Sequence, residues 1–220
     1  MKKVIINADD FGMSKIFNEV ILELLEKELV RSTSVLVTRG LDGQLDQIER
    51  LKEIMKRKNI SVGLHFESDK KDVSNVKENI EIQSDSFVRY FGFKSTHIDK
   101  HKDIHSKEES EAMVDFALKN NIYIRNVFAD YTPSRGNNIK TSHHTIFLLE
   151  ESVDGIKNYL LDKLRDGELA EVVVHPGKFD PYCESSLNKI RENDYKKIID
   201  LFPLLKENHI AIINQKIENF

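Results

Sequence analysis

Short apolar runs and longer amphipathic stretches alternate along this chain. Residues 3–8, 32–37, 60–66, 96–98, 123–127, 172–175 and 209–213 are short and carry β-branched residues, the pattern of buried strands. Between them, residues 16–29, 44–57, 76–91, 107–120, 154–164 and 194–205 carry apolar side chains at helical spacing. Ile16, Val20, Ile21, Leu24 and Leu25 make one such face, and Leu45, Ile48, Leu51 and Met55 another. Repeated strand–helix alternation predicts a parallel sheet or barrel. Seven strands exceed a small doubly wound sheet. The expected fold is therefore α/β: an irregular TIM-like (β/α) barrel of about seven strands, in one domain over residues 1–220. Residues 129–145 hold Pro133, Gly136 and two histidines and read as a long surface loop.

Composition narrows the partners. The 220 residues are 40% hydrophobic and 32% charged, enough for a sizeable core with a soluble surface. A net charge of -4 and a pI near 6.1 give no electrostatic reason to expect nucleic acid or an anionic membrane as partner. Basic residues cluster in "LKEIMKRKNI", but acids interleave with them, as on a solvated helix face. The single cysteine, Cys183, allows no intrachain disulfide and fits a reducing, cytoplasmic setting. The apolar run in "MKKVIINADD" is too short for a signal segment, and no run approaches the ~18 apolar residues of a membrane span.

Polar residues recur at the carboxyl ends of the expected strands. The first strand runs into Asn7, Asp9 and Asp10, and the third ends in His65. The fourth runs into "HIDKHKDIH", with His97, Asp99, His101 and His105, and the sixth ends in His175 before Pro176 and Gly177. Each piece has a plain structural reading. Acids after a strand make turns and helix caps. A lone histidine on an apolar strand is commonly a hydrogen-bonded core residue. A histidine before proline can simply end a strand. Jointly they point elsewhere, because ligand sites of parallel α/β folds lie at the carboxyl ends of the strands. Two imidazoles and one carboxylate suit zinc, iron, cobalt, nickel or manganese, whereas magnesium normally takes more oxygen ligands. His97, Asp99 and His101 share a face if extended; His101 and His105 share one if a helix starts there. Adjacent Asp9 and Asp10 reach one site only if the strand breaks, and Phe11-Gly12 can supply that turn. One would bind the cation and the other take a proton from its water.

"NADDFG", "STS", "GLH", "THID.H...H" and "HPG", in this order, resemble the YdjC-like carbohydrate deacetylases of the chitooligosaccharide type. The resemblance spans Asn7 to Gly177, and "IRENDYKKI", with Arg191 and Glu192, is similar to the helix that follows in that family. It implies a barrel related to polysaccharide deacetylases and a divalent metal ion, magnesium or zinc with other transition metals open. It implies Asp10, His65 and His101 as ligands, Asp9 as general base and His175 as the acid that protonates the leaving amine. Asn7, His97, Asp99, His105 and Arg125 would bind substrate or support the ligands. The implied reaction removes acetyl groups from N-acetylated sugars, with a small carbohydrate as partner and a homodimer as candidate assembly.

The sequence departs from the family pattern at Lys100, where a serine is usual, and at Asp103, where a histidine is usual. The stretch after "GLHF" is also shorter than usual. Three other readings compete. A signalling receiver domain pairs acids after its first strand but needs an aspartate where His65 stands. The same ligand set also suits hydrolysis of another ester or phosphoester. A carbohydrate-binding homologue without activity is the third.

Overall fold

The computed structural model describes residues 2–68, 75–102, 106–126 and 139–216. All described strands are parallel and join one curled sheet: β1 (Lys3–Phe11), β2 (Ser32–Val35), β3 (Ser61–Phe66), β4 (His97–Lys100), β5 (Tyr123–Ile124), β6 (His144–Phe147), β7 (Leu169–Val174) and β8 (Ala211–Ile213). Helices α1 (Lys15–Glu26), α2 (Leu45–Arg57), α3 (Val76–Phe91), α4 (Lys107–Asn120), α5 (Val153–Asp162) and α6 (Arg191–Glu207) fill the crossovers. The order is β5-β4-β3-β2-β1-β7-β6, with β8 on β1. Among the described residues no strand pairing joins β5 to β6, though Tyr123 of β5 forms a parallel bridge to Lys140, four residues before β6.

Local chemistry explains the elements. Ser14 caps α1 by accepting from the Ile16 N–H, and Ser106 and Glu109 form a reciprocal capping box on α4. Val4, Ile5 and Ile6 are buried throughout, as expected of a parallel strand covered on both faces. Two register patterns place the site. β7 pairs Lys3–Ala8 along one edge of β1, while the other edge is shared, β8 taking Lys3–Ile5 and β2 taking Asn7–Phe11. Residues just after β8 therefore arrive beneath β2.

Two expectations need correction. The expected sheet of about seven strands holds along the path from β5 to β6, with β8 added on β1, but His144 opens β6 and does not lie in a surface loop, and its ring meets Tyr159 and Glu168. The first strand runs three residues past Ala8, through both aspartates, because a bulge between Ala8 and Phe11 keeps it paired to β2.

Candidate metal and catalytic centre

The bulge brings the two aspartates together. Asp10 adopts a φ of 72°, a left-handed conformation, so the alternation of side chains breaks at Asp10 itself. The turn then closes with the Met13 N–H on the Asp10 carbonyl at 3.1 Å and Gly12 at φ 97°. Phe11-Gly12 does form the turn, but Asp10 supplies the reorientation. A side chain at Gly12 would also strike the Leu36 carbonyl oxygen at 2.8 Å.

Three side chains from β1, β3 and the end of β4 meet at one point. Asp10 Oδ1 lies 3.3 Å from His65 Nε2 and 3.0 Å from His101 Nδ1, and the two imidazole nitrogens are 3.2 Å apart. Ligands of a tetrahedral zinc ion, about 2.0–2.1 Å from the metal, stand roughly 3.3 Å from one another, and those of an octahedral ion stand about 3.0 Å apart. The triangle fits either. Among the described residues Asp10 Oδ1 is buried without an aligned hydrogen-bond donor, although both nitrogens are at contact distance. That is the arrangement of donor atoms aimed at a common cation. Asp10, His65 and His101 could hold a metal as a group.

Neighbouring groups orient these three side chains. Asp99 Oδ1 sits 2.6 Å from His65 Nδ1 and directs the other ring nitrogen towards Asp10. Burial alone would lower the His65 pKa, but the charges of Asp99 and Asp9 overrule it and raise it to about 10. Burial opposes ionisation of Asp10, yet His101, His65 and Arg191 outweigh it and hold the carboxyl well below its usual range. Arg191, at the start of α6, donates from Nη2 to Asp10 Oδ2 at 2.6 Å and stacks over Phe17 at 4.1 Å. Gly177 makes room for it, since a Cβ there would meet Arg191 Cδ and Phe17 Cδ1 at 2.9 Å.

Asp9 faces a different environment. Arg125 grips it with two parallel bonds, Nη2 to Oδ1 at 2.6 Å and Nη1 to Oδ2 at 2.7 Å. The same guanidinium reaches Asp99 Oδ2 at 2.8 Å and Glu171 Oε1 at 2.9 Å. Asp9, His65 and Asp99 also form a possible ligand cluster by distance. Arg125 already neutralises its two carboxylates, so the Asp10 triangle is the better cation site. His175 Nε2 lies 3.9 Å from Asp9 Oδ2, and the His175 N–H donates to Asp194 Oδ2 at 2.8 Å. Burial pushes the His175 imidazole down, while Asp10 and Asp9 pull it the other way.

His97 points inward beside Ser34 and Thr96 and contributes no ligand atom to the triangle. Burial pushes its pKa to about 4, so it is neutral near pH 7. Its ring occupies the space above Gly63: a Cβ there would lie 2.2 Å from His97 Cδ2. The glycine of "GLH" is thus a cradle for the histidine of "THID". Lys100, one of the departures from the family pattern, turns to the other face of β4, where its ammonium meets Glu109 at 2.8 Å. His105 and Asp103 lie outside the described residues.

The sequence matches the family described as YdjC-like protein over residues 3–73 and 66–201. The chain belongs to this family. The two matched stretches overlap over residues 66–73, from the last residue of β3 onward. A carbohydrate deacetylase of Clostridium beijerinckii is 28% identical over 97% of this YdjC-like chain and 96% of its own length. The fold matches that of a candidate cellobiose-phosphate cleavage protein of Enterococcus faecalis V583, with a TM-score of 0.80, 20% identity and 98% of each chain covered. A peptidoglycan N-acetylglucosamine deacetylase shares it at a TM-score of 0.61 and 14% identity, over 96% of this chain and 85% of the other. The likeness to these two structures supports the irregular TIM-like barrel. No described helix is long and apolar enough to cross a membrane.

Three further residues of the site are not singled out by sequence pattern. Arg191 lies within the helix that resembles the family's. Ser34 lies within "STS", and its hydroxyl is bonded to Asp99. Glu171 had a visible signal: a lone acid inside the apolar strand "LAEVVV" is costly unless paired. It is paired, with Arg125 and with the Tyr123 hydroxyl at 2.7 Å.

Proposed function

We propose that this chain is a metal-dependent hydrolase that removes N-acetyl groups from acetylated amino sugars or short oligosaccharides, with residues 1–220 as one deacetylase domain. The observation that carries the reading is the Asp10–His65–His101 triangle, flanked by Asp9 and His175. The carbohydrate deacetylase named among its relatives supports the substrate class.

Asp10, His65 and His101 would hold a divalent cation, which when bound would supply Lewis-acid polarisation and lower the pKa of water. Zinc or another transition metal suits this donor set, and magnesium is the further candidate. Asp9, fixed by Arg125, takes a proton from the attacking water through Oδ2, the oxygen that faces His65 and His175. As the carbon–oxygen bond forms and the carbon–nitrogen bond breaks, His175 Nε2 gives a proton to the leaving amine. Acetate and an amino sugar are the products. Asp99 holds the tautomer of His65, and Arg191 keeps Asp10 Oδ2 engaged so that Oδ1 faces the cation.

The test is acetate release from a panel of N-acetylated mono- and oligosaccharides, with zinc, cobalt, manganese, nickel or magnesium added in turn. Release that depends on metal supports the reading. Absence of acetate with every metal and sugar, beside hydrolysis of a phosphoester, would replace it.

A further inference from the structure

We infer that Gln215, just past the last strand, is a positioning residue. Through Asn7 it fills one oxygen of Asp9 and leaves Oδ2 as the proton-accepting atom. The inference rests on Asp9 being the base.

Gln215 is 3% exposed and lies inside the barrel, because β8 shares an edge of β1 with β2. Its Nε2 donates to Asn7 Oδ1 at 3.3 Å. Its Oε1 accepts from the Ser61 hydroxyl, and the Ser32 hydroxyl lies against both Gln215 Oε1 and Asn7 Oδ1. Each serine has one proton to give. Ser61 Oγ also lies 3.0 Å from Ser32 Oγ, so the two hydroxyls can serve Gln215 Oε1 and Asn7 Oδ1 in more than one way, but Asn7 Oδ1 faces the Gln215 amide and the Ser32 hydroxyl, both donors, and accepts in each. Asn7 Nδ2 then has its two protons for Ser34 Oγ and Asp9 Oδ1, both at 2.7 Å. A flipped Asn7 would set its carbonyl oxygen against the Asp9 carboxylate and its amide against the Gln215 amide. The side chain has one workable orientation, held from both ends.

The consequence falls on Asp9. Oδ1 accepts from Asn7 Nδ2 and Arg125 Nη2, so both of its lone pairs are used. Oδ2 accepts only from Arg125 Nη1 among these donors, and it faces His65 Nε2 at 3.8 Å and His175 Nε2 at 3.9 Å. One lone pair of Oδ2 is open towards the place where the cation's water and the acid meet. The two carboxylate oxygens are therefore not equivalent, and the difference is written by a residue 206 positions from Asp9 in the chain.

A double-mutant cycle on turnover tests this. Asn7→Ala and Gln215→Met are each expected to lower kcat by about 10–100-fold, with KM little changed and metal content equal to wild type. The double variant should fall no further than Asn7→Ala alone, because both act through one oxygen. Ser61→Ala, which touches Gln215 but not Asn7, should keep most of the activity. Additive losses, or an equal loss in Ser61→Ala, would assign the effect to packing and overturn the inference. Crystal structures of wild type and Gln215→Met decide it without turnover. Asn7 should leave Asp9 Oδ1 in the variant, and an unmoved Asn7–Asp9 pair would overturn it. An inactive wild type would instead count against the deacetylase reading.

Discussion

Arg191 Nη2 donates to Asp10 Oδ2 at 2.6 Å, joining the first turn of α6 to the bulge of β1. The guanidinium is buried, and its Nε and Nη1 have no hydrogen-bond partner among the described residues. Without a metal it is the fixed cation on Asp10, so Arg191→Met leaves a buried carboxylate without its guanidinium partner. We expect the metal-free variant to lose about 3–5 kcal/mol of stability. Added zinc or cobalt should recover part of that loss, since the ion replaces the missing charge. Thermal melts with and without metal check this; an identical loss in both would separate Arg191 from the cation site.

Gly63 and His97 are a second matched pair. A methyl at Gly63 overlaps the His97 ring, which is packed on its other sides by Ser34 and Thr96. Gly63→Ala should therefore cost about 2–3 kcal/mol, read as a lower denaturant midpoint. Gly63→Ala combined with His97→Ala should recover stability relative to Gly63→Ala alone. A harmless Gly63→Ala would mean that the ring has room to move.

His97 also predicts a pH dependence. Its folded pKa of about 4 lies below the unfolded value of 6.5, so the unfolded chain binds the extra proton first as pH falls. Its contribution is fully present above pH 6.5 and is lost as pH falls towards 4. By pH 5 the loss should reach about 2 kcal/mol. His97→Gln removes this term, so the stability gap between wild type and variant should narrow from pH 7 to pH 5. Denaturant titrations at both pH values measure it, and a constant gap would refute the neutral, buried imidazole.

Asp9→Asn and His175→Ala separate catalysis from metal binding. Neither residue belongs to the triangle, so metal content should match wild type, while turnover falls roughly 100-fold or more. The His65→Ala/His101→Ala double variant should lose the metal itself. Elemental analysis of the purified proteins beside acetate release distinguishes the two outcomes.

Much of this protein is legible without coordinates. Apolar runs alternating with amphipathic stretches specify a parallel α/β sheet, since strands covered on both faces must be apolar along their length. The same logic picks out the polar strand ends at Asp9, Asp10, His65, His101 and His175, because carboxylates and imidazoles there need a reason. Periodicity fails where the deciding interaction is remote. His144 begins a strand only because β7 offers it an edge. The orientation of Asp10 depends on a bulge that pairing with β2 creates, and its second oxygen on Arg191, 181 positions away. Gln215 looks like any polar residue near a chain end until β8 carries it under β2. Residue type and local pattern determined which groups are available for chemistry. Tertiary structure decided which atom of each group faces the candidate cation site, because hydrogen-bond saturation depends on neighbours that only folding brings together.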